Sequence, residues 1–262
     1  MPHDLWRTLP ALTALLAAIW GAGLWLFHSE RPQRARWGLA LNGAGVALLG
    51  VWIIALWTSM DRPPLRTLGE TRLMYALMLP LIAIFLSRQW RLRWPMLYAV
   101  ALSLLFLVIT ALHPETLDKT LMPALQSVWF IPHVTVYLLA YAFLTLGSVV
   151  CLPRFARNDD ALRRSDEAIG VGFALLTLGL LFGAFWAKEA WGHYWTWDPK
   201  ETWAFLTWAA YLTHLHLRAR YAGNLTLARR FLAGAFLALL LCWFGVNYLP
   251  SARQSVHTYS QP

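Results

Sequence analysis

Eight apolar runs divide this chain, at about 8–27, 37–57, 72–87, 95–112, 132–152, 168–187, 201–217 and 230–249. A run of roughly 20 apolar residues is long enough to cross a hydrocarbon core about 30 Å thick as a helix. With 58% of residues hydrophobic and only 13% charged, little remains from which to build a water-soluble domain. The expectation is an all-α polytopic membrane bundle of about eight transmembrane helices, one integral membrane domain over residues 1–262. No small-residue cleavage site follows the first run, so it is expected to be a retained helix. Gly21, Gly23, Gly43, Gly45 and Gly50 put small residues in the first two helices, where backbones can approach closely.

The net charge of +9 does not form one basic patch, which excludes nucleic acid as a partner and leaves membrane lipid. Fourteen of the 22 Lys and Arg residues fall in alternate connections, at 31–36, 88–93, 154–164 and 218–230. The positive-inside rule puts that set in the cytoplasm. Both termini and the opposite connections are then external, with the chain a multi-pass protein of the cytoplasmic membrane. Cys151 and Cys242 both lie inside apolar runs and far apart, which indicates packing rather than a disulfide framework.

Three external segments are too long for simple turns: 58–71, 113–131 and 188–200. In the first, Glu70 or Arg72 can enter a cavity, but solvated loop charges are the preferred reading. The second can hold a short surface helix before Pro132. The third leads into Trp191–Trp203, WGHYWTWDPKETW, the densest cluster of polar aromatics in the chain. A few tryptophans at a membrane boundary are ordinary anchors. Four of them, Trp191, Trp195, Trp197 and Trp203, interleaved with His193, Asp198, Lys200 and Glu201, point to a flat binding platform. Asp198, Pro199 and Glu201 read as a helix start, with an N-cap, proline at the first helical position and a capping box.

Histidines decide the chemistry. His3, His28 and His113 sit at helix ends, as interfacial residues do. His133 begins the fifth helix and His257 follows the eighth, both on the face that carries the Trp-rich stretch. Two neutral imidazoles flanking an aromatic pocket suit axial ligation of haem iron; a pair of hydrogen-bonding loop residues is the alternative. His214 and His216 stand two apart near the inner end of the seventh helix, about 200° from each other. For His214 a snorkelling imidazole is preferred; for His216 the reading stays open.

The string WGHYWTWDPKETWAFLTWAAYLTHLH closely resembles the WWD signature of haem-handling membrane proteins of cytochrome c maturation. Within that superfamily it looks like the CcsA, or ResC, family, whose form WGxYWxWDPKETWA it matches; CcmC and CcmF share the WG…WxWD core only. The CcsA-like core covers 130–260, with the WWD segment at 188–203. The resemblance implies that His133 and His257 are external axial ligands of haem b, and that His216 is the intramembrane haem histidine. It implies that Trp191, Trp195, Trp197, Asp198 and Trp203 belong to the haem-binding segment.

The second intramembrane histidine would come from a CcsB (ResB) partner, with His28 a weak substitute within the chain. The implied function is haem delivery to the external face and its attachment to CxxCH motifs of apocytochrome c, as one subunit of a holocytochrome c synthase of the system II type. The rival is a haem transporter of CcmC type without ligation activity. This chain departs from the family in the 58–71 loop, where LRTLGETR replaces a PxSNLYES-like motif and leaves Glu70 as the plausible equivalent. It departs again in VHTYS, where serine stands in place of a common glycine.

Overall fold

A computed structural model describes residues 2–90, 93–113, 123–149, 159–221, 223–250 and 255. Among the described residues every regular element is helical: α1 Pro2–Arg7, α2 Leu9–Phe27, α3 Pro32–Met60, α4 Leu68–Trp90, α5 Trp94–Leu112, α6 Phe130–Ser148, α7 Asp159–Trp191, α8 Pro199–Arg220 and α9 Leu225–Trp243. Single 3₁₀ turns lie at Pro123–Gln126 and Gly245–Tyr248. Proline opens α2, α3, α5 and α8 in the first two helical positions, where its missing N–H costs nothing.

Seven helices, α2 to α7 and α9, are long and apolar enough to cross a membrane. The run expected as an eighth span forms a helix, α8, 22 residues and about 33 Å long, but it is not apolar enough to stand with the other seven. It carries Lys200 and Glu201 in its first turn, Arg218 and Arg220 in its last, and two histidines between. A polar helix among apolar ones is a functional element by default, because each buried polar group in such a place needs a partner. The protein is thus a multi-pass helical membrane protein. The apolar runs understate the ends: α7 starts at Asp159 rather than near 168, extended by polar turns that hold an Arg163–Glu167 pair at i,i+4. Likewise α6 starts at Phe130, so Pro132 lies inside its first turn instead of bounding it.

The chain forms two compact units, Met1–Thr120 and Leu121–Pro262. In the first, α2 packs on α3 and α5, and α4 packs on α5. Trp20, fully buried, donates its indole N–H to the Asn42 carbonyl at 3.2 Å, directly over Gly45, where a Cβ would collide with that nitrogen. Gly23 likewise faces Asn42. Of the five glycines expected at such contacts these two make them, whereas Gly21 and Gly43 face open space and Gly50 touches only Leu77 at 3.9 Å. Gly38, against the backbone of Phe27, completes the α2–α3 contact.

In the second unit α6 and α7 are antiparallel, and α8 and α9 form a second pair packed on them. Glycines fix the α6–α7 register. Leu144 fills the notch at Gly172, Tyr137 that at Gly179 and His133 that at Gly183, while Gly147 receives Ile169. Every step forward on α6 is matched by an equal step back on α7, so small residues bring the two backbones together along the whole interface.

Candidate functional site

The Trp-rich segment is a turn between two helix ends, each closed by its own hydrogen bonds. At Trp191 α7 stops because Gly192 takes φ of 84°, a conformation that favours glycine, and its N–H reaches back to the Lys188 carbonyl at 3.0 Å. The Lys188 ammonium returns to the Gly192 carbonyl at 2.8 Å and lies 5.4 Å from the Tyr194 ring centre. At the other end α8 begins with the expected capping box. The Asp198 carboxylate accepts from the Lys200 N–H at 2.9 Å, and Glu201 accepts from the N–H groups of Asp198 at 3.2 Å and Thr196 at 2.8 Å. The Ser255 hydroxyl also donates to Asp198 Oδ1, at 3.0 Å. The residue that starts α8 therefore also holds Ser255, two residues before His257 in sequence. His257 itself lies outside the described residues, as does Cys151.

Asp198→Ala should remove the cap and the tail contact together, costing about 1 kcal/mol or more of stability. Asp198→Asn should stay near wild type, since Asn caps equally well. Thermal melting of the purified protein reads the difference.

His133 projects from the first turn of α6 into the notch at Gly183, half-buried. Its Nδ1 bonds the Gly179 carbonyl at 2.9 Å. A carbonyl only accepts, so Nδ1 carries the proton and Nε2 holds the lone pair; an imidazole oriented through one nitrogen in this way presents the other as a ligand. The ring stacks on Trp186 with centres 5.3 Å apart and planes at 28°, and Tyr137 lies 4.7 Å away on the same helix. Trp186 donates to the Ala124 carbonyl at 2.7 Å and meets Trp191 at 4.9 Å. Leu125 and Phe130 pack with Trp186 to close the cluster. An unbroken aromatic contact thus runs from His133 through Trp186 to Trp191.

The remaining tryptophans differ in placement. Trp195 is half-buried and meets Trp197 edge to face at 5.7 Å; its indole N–H is buried without an acceptor. Trp197 is 62% exposed, has φ of 60°, and meets Phe205 at 5.8 Å. A positive φ at a bulky residue stores strain, and here it turns the ring outward. Trp203 is half-buried in the first turn of α8, and His193 is exposed. The segment so offers aromatic faces, one unsatisfied donor and a histidine with a defined lone pair, a set suited to a flat, apolar, anionic-edged ligand. Among the described residues no three His, Cys, Asp or Glu side chains converge on a metal-ion site.

The other end of α8, about 27 Å from Asp198 along the helix axis, holds the second histidine group. His216 is exposed, with Nδ1 bonded to the Leu212 carbonyl at 2.9 Å, which leaves Nε2 as its lone-pair nitrogen. His214 does not snorkel: it is fully buried, with Nε2 donating to Asp166 Oδ1 at 3.2 Å. Burial of one and exposure of the other follows from the 200° between them. His28 is exposed and tied to the Leu24 carbonyl at 3.0 Å, as an interfacial residue would be.

Glu70 corrects the reading of the 58–71 segment. It is 0% exposed, not solvated. Both its oxygens bind Arg62, at 2.8 and 3.0 Å, and Oε2 also accepts from the N–H groups of Arg66 at 2.8 Å and Thr67 at 3.2 Å. Thr67 Oγ1 in turn accepts from the Glu70 N–H, so TLGE is a capping box that starts α4. Burial, then the Arg62 charge, lower the Arg66 guanidinium from its ordinary value, with Glu70 acting the other way.

Sequence reasoning missed Gly179, Gly183, Trp186, Ser255 and Asp166. A signal existed for the first two, which form GxxxG in GLLFG at the close of an apolar run.

The family model described as "Cytochrome C assembly protein" matches residues 65–252, which take in α4 to α9 and the capped, Trp-rich turn. Curated proteins named "Cytochrome c biogenesis protein CcsA" align over most of the chain. That of Chlorella vulgaris is 31% identical over 85% of this chain and 85% of its own length. That of Chlamydomonas reinhardtii is 32% identical over 84% and 67%, and that of Prochlorococcus marinus strain MIT 9301 is 29% identical over 77% and 78%. The chain belongs to the CcsA family, and its role lies in cytochrome c biogenesis.

Proposed function

We propose that this chain carries haem b to the external face of the cytoplasmic membrane and presents it for attachment to CxxCH motifs of apocytochrome c, acting with a CcsB-type partner as a holocytochrome c synthase. The observation that carries the reading is the fixed tautomer of His133: Nδ1 is spent on the Gly179 carbonyl, so Nε2 is the ligating nitrogen, beside the Trp-rich segment. The Ser255–Asp198 bond supports His257 as its counterpart, since Ser255, two residues before it in sequence, is held on the same segment. Trp191, Trp195, Trp197 and Trp203 supply the aromatic faces. The unsatisfied Trp195 N–H and Lys188 are the donors suited to propionates.

Each thioether forms when a cysteine thiol adds across a haem vinyl group, sulfur to one carbon and hydrogen to the other, with no leaving group. No side chain of this protein is needed as a nucleophile. Its contribution is to hold the reacting groups at near-attack distance and to keep water away. His216 serves as the intramembrane ligand during passage, with a second ligand from the partner. The excess of Arg in alternate connections supports external placement of both termini and the Trp-rich segment.

In the purified protein, His133→Gly and His257→Gly should each lose the low-spin haem band, and added imidazole should restore it; an unchanged spectrum removes the residue from the site. Holocytochrome formed only when this chain and its partner are co-expressed supports the synthase. Haem export without attachment would instead establish the CcmC-type transporter.

A further inference from the structure

A single carboxylate clasps the two turns of α8 that flank His216. Asp166, in the second turn of α7, binds His214 Nε2 at 3.2 Å through Oδ1 and Arg218 Nε at 2.6 Å through Oδ2. The side chains are largely enclosed, with 19% exposure for Asp166, 10% for Arg218 and 0% for His214. His214 and Arg218 stand four apart and share a face of α8, whereas His216, between them in sequence, is about 200° round the helix from each. The clasp therefore grips the face opposite the exposed imidazole. We infer that Asp166 is a positioning residue for His216: it fixes the rotation of the last turns of α8 and so the direction in which His216 offers Nε2. This rests on the proposed role of His216 in holding haem.

The magnitudes make rotation the relevant variable. A side chain ends about 5–6 Å from the helix axis, so a turn of about 20° moves its tip by roughly 2 Å. Ligation tolerates about 0.5 Å or 10–20°. His216 cannot correct such an error itself, because its Nδ1 is held by the Leu212 carbonyl of the same helix. The His214 ring and the Arg218 guanidinium reach the same carboxylate from two successive turns, which resists rotation better than either contact alone.

The test uses the full chain co-expressed with its membrane partner and loaded with haem b, with His133 and His257 both replaced by leucine, so that neither external position is left open to imidazole and only intramembrane haem is read. Asp166→Asn should weaken His216-dependent haem by about 10–100-fold, the usual cost of losing an orienting partner, and Asp166→Glu should recover part of it. Free imidazole is not tethered to α8. It should therefore restore the band in Asp166→Asn/His216→Gly as fully as in His216→Gly alone. Wild-type haem content in Asp166→Asn overturns the inference. So does failure of imidazole in the double variant, because Asp166 would then be holding the fold rather than aiming a ligand. If His216→Gly itself leaves the spectrum unchanged, the role of His216 falls, and with it the basis of this inference.

Discussion

Alanine at Gly183 should weaken haem binding through His133, the ligand proposed above, by about 10–100-fold, the range seen when the orientation of a metal-ligating histidine is lost. A Cβ built there stands 2.8 Å from His133 Cε1 and 2.9 Å from Nδ1, closer than side chains tolerate. The ring has nowhere easy to go, since Trp186 stacks on it and the Gly179 carbonyl holds its Nδ1. It must tilt, and the tilt stretches the hydrogen bond to the Gly179 carbonyl. Overpacking also costs about 1–3 kcal/mol of stability, so a control is required. Gly172→Ala provides it, because the Cβ there meets Leu144 at 2.8 Å in the same helix pair without touching a histidine. Both variants should melt at lower temperature, but only Gly183→Ala should lose affinity in a haem titration. Equal haem affinity in the two would show that the notch matters for packing alone.

Glu70→Ala should be the most destabilising substitution in the first unit, at about 3–5 kcal/mol, the cost of removing one partner from a buried ion pair. Arg62 would be left with its side chain only 20% exposed and no carboxylate, and the N–H groups of Arg66 and Thr67 would lose their acceptor. Glu70→Gln keeps an acceptor and a side chain of the same length, so it should lose less. Membrane abundance and the melting temperature of the detergent-purified protein report the order. If Glu70→Ala matches wild type, the carboxylate is not what organises the 61–67 turn.

What the sequence made legible was local. Asp198–Glu201 declares a helix start within four residues, and the structure bears that out in every hydrogen bond. Thr67–Glu70 has the same form and was passed over because a polar loop suggested solvated charges. The motif was readable, but its burial was not, since burial depends on Arg62 folding back over it. Continuous apolar residues mark the spans yet are blind to polar helix ends, hence the extra turns at the start of α7. Helical geometry separated His214 from His216, but the choice of which faces inward belongs to Asp166, 48 residues away from His214. The cradle of His133 is equally non-local: Gly179 is 46 residues distant, and its contribution is a backbone carbonyl that no side-chain pattern announces.

The bond between Ser255 and Asp198 has a consequence for synthesis. Asp198 emerges from the ribosome 57 residues before its partner, which at about 5–20 residues per second is roughly 3–11 s. During that interval α8 can start on the Lys200 N–H, but the Ser255 hydroxyl is not yet there to donate to the carboxylate. The start of α8 is therefore capped first by its own backbone and only later tied to Ser255, so the two contacts of this one carboxylate are made at different stages of synthesis.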